Sequence, residues 1–142
     1  KEGEKVWTVM IDIYSLNDDG NLLDAAGIAA IAALKTAKIP KYDEEAGRVL
    51  FGELSDKNIP LIKDVPISLT LHKVGNSFLV DPTAEEEALS GTRLTVASSN
   101  GTIFSMQKGN LAELEIEEFN KALDLIEKTE REIYKKLEKH LK

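Results

Sequence analysis

Ile116, Phe119, Leu123, Ile126, Ile133, Leu137 and Leu141 recur at steps of three, four and seven, which draws one apolar stripe along a helix of more than twenty residues. The opposite face is charged, with Glu117 four residues before Lys121 and Glu132 four before Lys136. Acids crowd the start of this segment and lysines its end, as the helix dipole prefers. The stripe must be covered by another layer, and four strand signals stand just before it: Ile67 to Val74, Ser77 to Val80, Arg93 to Ser98 and Thr102 to Gln107. Gly75-Asn76 and Asn100-Gly101 separate the members of each pair and favour tight hairpins. Between the hairpins, Pro82 to Leu89 reads as an acidic loop or a short helical turn.

Towards the amino terminus, Val6 to Leu16 is almost continuously apolar and β-branched, the pattern of a strand buried on both faces. Few residues precede it to provide neighbours, and the first residue is Lys1, so the chain reads as a fragment or a processed product. Asn17 to Asn21 is a turn, and Asp24 is a good N-cap for a helix running to about Lys38 and closed by Pro40. Seven alanines and Gly27 between Ala25 and Ala37 leave that helix small and apolar nearly all round, suited to close packing on two sides. From Lys41 to Asp64 the pattern weakens, apart from Val49-Leu50-Phe51, and a domain junction is placed there.

The 142 residues fit one ordinary domain, or a small domain with a piece of another. The longest apolar stretch, Ala25 to Leu34, is about half of a bilayer span, so no membrane association is expected. Zero cysteines exclude disulfides and thiolate metal sites, which fits a cytoplasmic protein. A net charge of -7 argues against free-standing nucleic-acid binding, so any RNA contact must use a local patch or a partner's charge.

Four acids, Asp81, Glu85, Glu86 and Glu87, follow a strand and could ligate a divalent cation, although a solvated acidic loop accounts for them. Asp18 and Asp19 beside Gly20 read as a turn, since no spaced acidic series follows. His72 and His140 are far apart, with no nucleophile and orienting acid placed beside either by spacing. Gly91-Thr92-Arg93 could present amides and a guanidinium to a phosphate. Trp7, Tyr14, Tyr42 and Phe51 are the residues suited to stacking on RNA bases, with core packing the favoured role for Trp7 and Tyr14. No catalytic residue, metal ligand, RNA-binding residue or cofactor is assigned from these patterns.

The run from Asp12 to Ala26, through Asn17-Asp18-Asp19-Gly20-Asn21-Leu22-Leu23-Asp24, resembles the strand, turn and helix of the non-catalytic ribonuclease-PH-like subunit of the archaeal exosome. A second likeness covers Val65-Pro66-Ile67 through Asp81-Pro82-Thr83 to Leu94-Thr95-Val96-Ala97, and the resemblance extends along essentially the whole chain. It implies an α+β, ribonuclease-PH-like fold of mixed sheets backed by helices, with the amino-terminal half of the family fold absent. Residues 1–40 would then be the closing strand and helix of the first half, 41–64 a connecting segment, and 65–142 the second domain.

Active members of the family hold phosphate with a Gly-Thr-Arg motif after an Asp-Gly turn and place two catalytic aspartates in the acidic loop and the following strand. Here the resemblance sets Asn21-Leu22-Leu23 on the phosphate motif, Glu87 on the first aspartate and Arg93 on the second. It therefore implies a structural subunit of a hexameric ring, supporting 3′-to-5′ phosphorolytic RNA degradation and tailing by a paired active subunit. Partners implied are that catalytic ribonuclease-PH-like subunit, RNA-binding cap subunits, and RNA through the assembled complex. A divergent phosphorolytic exoribonuclease using Asp81, Glu86 and Glu87, and an interaction module unrelated to RNA, are the alternatives.

Overall fold

In the computed structural model, residues 2–140 are described; Leu141 and the side chain of His140 lie outside the described residues. The element order is α1 (Leu22–Thr36), β1 (Lys38–Asp43), β2 (Arg48–Asn58), β3 (Ile67–Val74), β4 (Ser77–Val80), α2 (Ala84–Ala88), β5 (Thr92–Ser99), β6 (Thr102–Gly109) and α3 (Ile116–His140). Strands β3 to β6 form one antiparallel sheet in the order β4-β3-β5-β6, and β1 with β2 forms a separate antiparallel pair.

The four-stranded sheet follows from its turns and its alternation. Asn100 (φ 50°) and Gly101 (φ 76°) take the left-handed angles that reverse β5 into β6. Leu69 pairs with Val96 and Leu71 with Leu94, so one sheet face is uniformly apolar. The α3 stripe covers that face, and Leu69, Leu71, Leu94, Val96, Ala122 and Ile126 form the core, each at most 2% exposed. Glu130 lies on the same stripe, 2% exposed, and accepts from the Ser98 hydroxyl and, at 2.9 Å, from the Asn100 amide. At the other end of the helix, the Lys73 ammonium lies 2.6 Å from Glu118 and holds that carboxyl below its usual range.

The opposite sheet face is polar and receives α1. Its N-cap is Asn21 rather than Asp24: the Asn21 side chain accepts from the amides of Leu23 and Asp24 at 3.1 and 3.2 Å. Asp24 is already inside the first turn, 8% exposed, and bonds to β3 through the Thr70 amide (2.5 Å) and hydroxyl (2.9 Å). The helix stops at Thr36, two residues short of the expected end, because Lys38 already pairs with Asn58. It buries one side only; Ala25, Ala29 and Ala33 are exposed, against the expectation of packing on two sides.

One segment carries more structure than its pattern suggested, and one further expectation is corrected. The segment read as a junction holds the β1–β2 hairpin, whose register slips twice and which shares no extensive interface with the other sheet. The run from Val6 to Leu16 is not a buried strand: no strand pairs with it among the described residues, and Val6, Met10, Tyr14 and Leu16 are 79%, 83%, 83% and 99% exposed. Apolar composition specifies that a segment seeks cover, but a strand exists only with a hydrogen-bonding neighbour.

This exposed run should make the chain self-associate, since extended apolar segments with unpaired backbone groups recruit other strands. Sedimentation velocity over a concentration series is expected to show association that Val9→Lys reduces. A strictly monomeric wild-type chain would refute it.

Candidate functional site

The start of α1, strand β3, helix α2 and strand β5 converge on a cleft of about 190 Å³ whose wall includes Asp18, Asn21, Leu23, His72, Glu87 and Arg93. Positions spread over more than seventy residues of sequence thereby meet in one place.

Each wall residue is held by its own local logic. The turn before α1 is locked from across the fold: Asp81, in a left-handed conformation (φ 56°) after β4, accepts from the Asn21 amide at 2.7 Å. Gly20 (φ 71°) lies so close that an added Cβ would strike the Asp81 carboxylate. Glu87 projects from α2, which a capping box initiates: Thr83 accepts from the Glu86 amide, and Glu86 returns to the Thr83 amide at 2.9 Å. His72 and Arg93 are direct cross-strand partners between β3 and β5. His72 is 3% exposed, and neither its Nδ1 nor the Nε of Arg93 has a hydrogen-bond partner. The Arg93 guanidinium lies against Gly109, where a Cβ would come within 3.0 Å of Nε.

The four acids weighed as a metal site are not brought together. Asp81 serves the Gly20-Asn21 turn, Glu86 serves the cap of α2, and Glu87 alone faces the cleft. Among the described residues no group of three or more His, Asp or Glu side chains is placed to hold a metal ion. The tripeptide Gly91-Thr92-Arg93 is likewise divided. The Gly91 amide donates to the Lys73 carbonyl at 3.2 Å and the Thr92 hydroxyl to the Ala112 carbonyl at 2.7 Å, leaving Arg93 alone to reach the cleft.

The aromatic residues also separate. Trp7 and Tyr42 line a second cavity of about 400 Å³, where the Lys5 ammonium sits 4.5 Å from the centre of the Tyr42 ring. Trp7 and Tyr14, expected in the core, are 53% and 83% exposed, because the strand that would have buried them does not form; Phe51 is fully exposed on the hairpin.

Two buried carboxylates escaped the sequence reading. Burial pushes the Asp24 carboxyl above its ordinary value, with the two Thr70 hydrogen bonds acting in the other direction. Glu130 was detectable, since it stands four residues after Ile126 and three before Ile133, an acid on the apolar stripe. Asp24 carried only the weaker signal of an acid opening an otherwise apolar helix. No helix among the described residues is long and apolar enough to cross a membrane.

Profiles of the 3′ exoribonuclease family match in two places, its domain 1 over residues 1–40 and its domain 2 over residues 64–128. Exosome complex component Rrp42 of Thermococcus onnurineus is 46% identical over 127 residues, covering 87% of this chain and 46% of that protein. The protein of the same name from Methanosarcina acetivorans is 42% identical over 125 residues, covering 87% and 44%. The chain thus spans about half the length of the curated relatives it matches. A chain of an Archaeoglobus fulgidus exosome with RNA bound to the active site superposes with a TM-score of 0.68 at 36% identity, over 85% of this chain and 45% of that one. A chain of an archaeal exosome core superposes with a TM-score of 0.69, also at 36% identity, over 87% and 47%.

Proposed function

The chain belongs to the 3′ exoribonuclease family, with its ribonuclease-PH-like domains, and from that premise we propose that it is a non-catalytic, structural part of an exosome ring. Phosphorolysis and tailing would then be performed by a paired ribonuclease-PH-like active subunit, in a ring that also engages RNA-binding cap subunits and works in the cytoplasm. In this reading residues 1–40 close the first half, 41–64 connect, with the β1–β2 hairpin inside the connection, and 65–142 form the second domain.

The observation that carries the proposal is the composition of the cleft. The family resemblance sets Leu23 where active members grip phosphate and Arg93 where they place an aspartate, and both residues line this one cleft. A leucine cannot make the paired charge-assisted bonds by which an arginine fork holds phosphate. Exchanging a carboxylate for a guanidinium changes the local charge by two units, each worth about 4 kcal/mol against a unit charge about 4 Å away at an effective dielectric near 20. A divalent cation is therefore repelled from the position that would have to hold it.

Purified alone, the chain is expected to show no phosphate-dependent decay of a 3′-labelled RNA, while co-purifying with the active ring subunit. The Glu87→Asp, Arg93→Asp double variant is expected to remain inactive, because Leu23 still leaves phosphate unheld. Robust phosphorolysis by the chain alone, free of contaminating nuclease, would overturn the proposal.

A further inference from the structure

On a chain with a net charge of -7, cations facing the same cavity from three separate elements form a local exception. They surround a cavity of about 290 Å³ on the side of the molecule where the end of α1, the segment before β3 and the later turns of α3 meet. Lys35 reaches it from the last turn of α1, Lys63 from the connecting segment, and Arg131 and Lys135 from α3, with the β5–β6 turn at Ser99 and Asn100 on the wall.

The four cations are not equivalent. Arg131 donates to Glu127, one turn earlier on α3. None of the ion pairs among the described residues involves Lys35, Lys63 or Lys135. The wall carries two carboxylates against the four cations: Glu130, buried with both oxygens engaged by Ser98 and Asn100, and the exposed Glu138; beside the wall, Asp64 accepts from the Asn100 side chain at 2.6 Å. The Lys35 ammonium lies over the Tyr134 ring, 5.9 Å from its centre, so an aromatic surface stands beside the cations.

We infer that this cavity binds the phosphodiester backbone of single-stranded RNA. The choice of RNA rests on the exosome reading above; the charge and geometry call for a polyanion. Lysine ammoniums on flexible stems act as point charges suited to phosphates, without the directional demand of an arginine fork on a carboxylate. An aromatic ring next to them is the arrangement by which single strands are held without regard to sequence. The acidic remainder of the surface repels a strand elsewhere and confines it to this patch.

The test is fluorescence anisotropy of a short fluorescein-labelled oligoadenylate titrated with the 142-residue chain at several salt concentrations. Three phosphate contacts on a single strand predict a slope of log Kobs against log salt of about -2. Replacing Lys35, Lys63 and Lys135 together by Gln should abolish that slope and weaken binding at least about tenfold at low salt. Replacing Lys121, Lys128 and Lys136 by Gln removes the same charge from positions off the cavity and should leave binding within about twofold, with circular dichroism melts confirming that both variants fold. The inference is overturned if wild type does not bind, if both triple variants weaken binding equally, or if a polyglutamate peptide displaces the RNA at equal charge concentration. Ring assembly is scored separately by co-purification of the Lys35, Lys63, Lys135 variant with the active subunit, so loss of one reading leaves the other standing.

Discussion

Ile126→Ala is expected to lower the unfolding free energy by about 2 to 5 kcal/mol, whereas Lys136→Ala should change it by less than about 0.5 kcal/mol. Ile126 is 2% exposed and packs with Leu69, Leu71, Leu94 and Val96, so its truncation opens a cavity lined by side chains of two strands that their ladder prevents from closing in. Leu123 is only half-buried at the edge of the same cluster, and Leu123→Ala should fall between the two. Denaturant melts of the three variants give the ranking directly. Equal midpoints for the isoleucine and lysine changes would mean that α3 does not cover the sheet.

Asp24→Ala is expected to cost about 1 to 3 kcal/mol, because the Thr70 amide would be left buried without its acceptor, while the Thr70 hydroxyl keeps Thr95 as a partner. Asp24→Asn should cost less: one amide oxygen can still accept from the Thr70 amide, and the new NH2 group can donate to the Thr70 hydroxyl oxygen, which can in turn donate to Thr95, 3.0 Å away. The wild type and the Asp24→Asn variant should also differ in pH dependence. Burial raises the Asp24 carboxyl above its ordinary value of 3.8, so the folded state holds this proton more tightly than the unfolded chain. Its contribution to stability is therefore fully present below about pH 3.8 and is lost as pH rises through the raised folded value. Subtracting the stability-against-pH curve of the Asp24→Asn variant from that of wild type removes the other carboxylates, and the difference should decline with pH across that window. A difference that rises instead would show the carboxylate to be stabilised, not penalised, by its site.

Much of the second sheet was legible in the sequence because the signals are local. Strands β3 and β4 begin and end at the residues that alternation and the Gly75-Asn76 turn mark, and β5 and β6 differ from their expected ends by one or two residues. Helix α3 begins at Ile116, where its apolar stripe begins. These features depend on neighbours three, four or two positions away, and the hydrophobic pattern alone suffices to place them. The family likeness was legible for a related reason: its motif residues run consecutively from Asp12 to Ala26.

What tertiary structure alone decided depends on partners far along the chain. Val6 to Leu16 has the composition of a strand and is not one, since pairing needs a second strand; β1 and β2 carry charges at Lys38, Lys41, Glu53 and Asp56 and are strands, because each is the other's partner. Asp24 reads as a cap until Thr70, forty-six residues on, draws it into the interior, and Glu130 reads as a solvated acid until Ser98, thirty-two residues before it, meets it under α3. The meeting of Leu23, Glu87 and Arg93 in one cleft likewise exists only once β3 and β5 pair and α1 lies across them. Periodicity specifies which side of an element seeks cover; which distant group provides it is settled by the packing that buries them both.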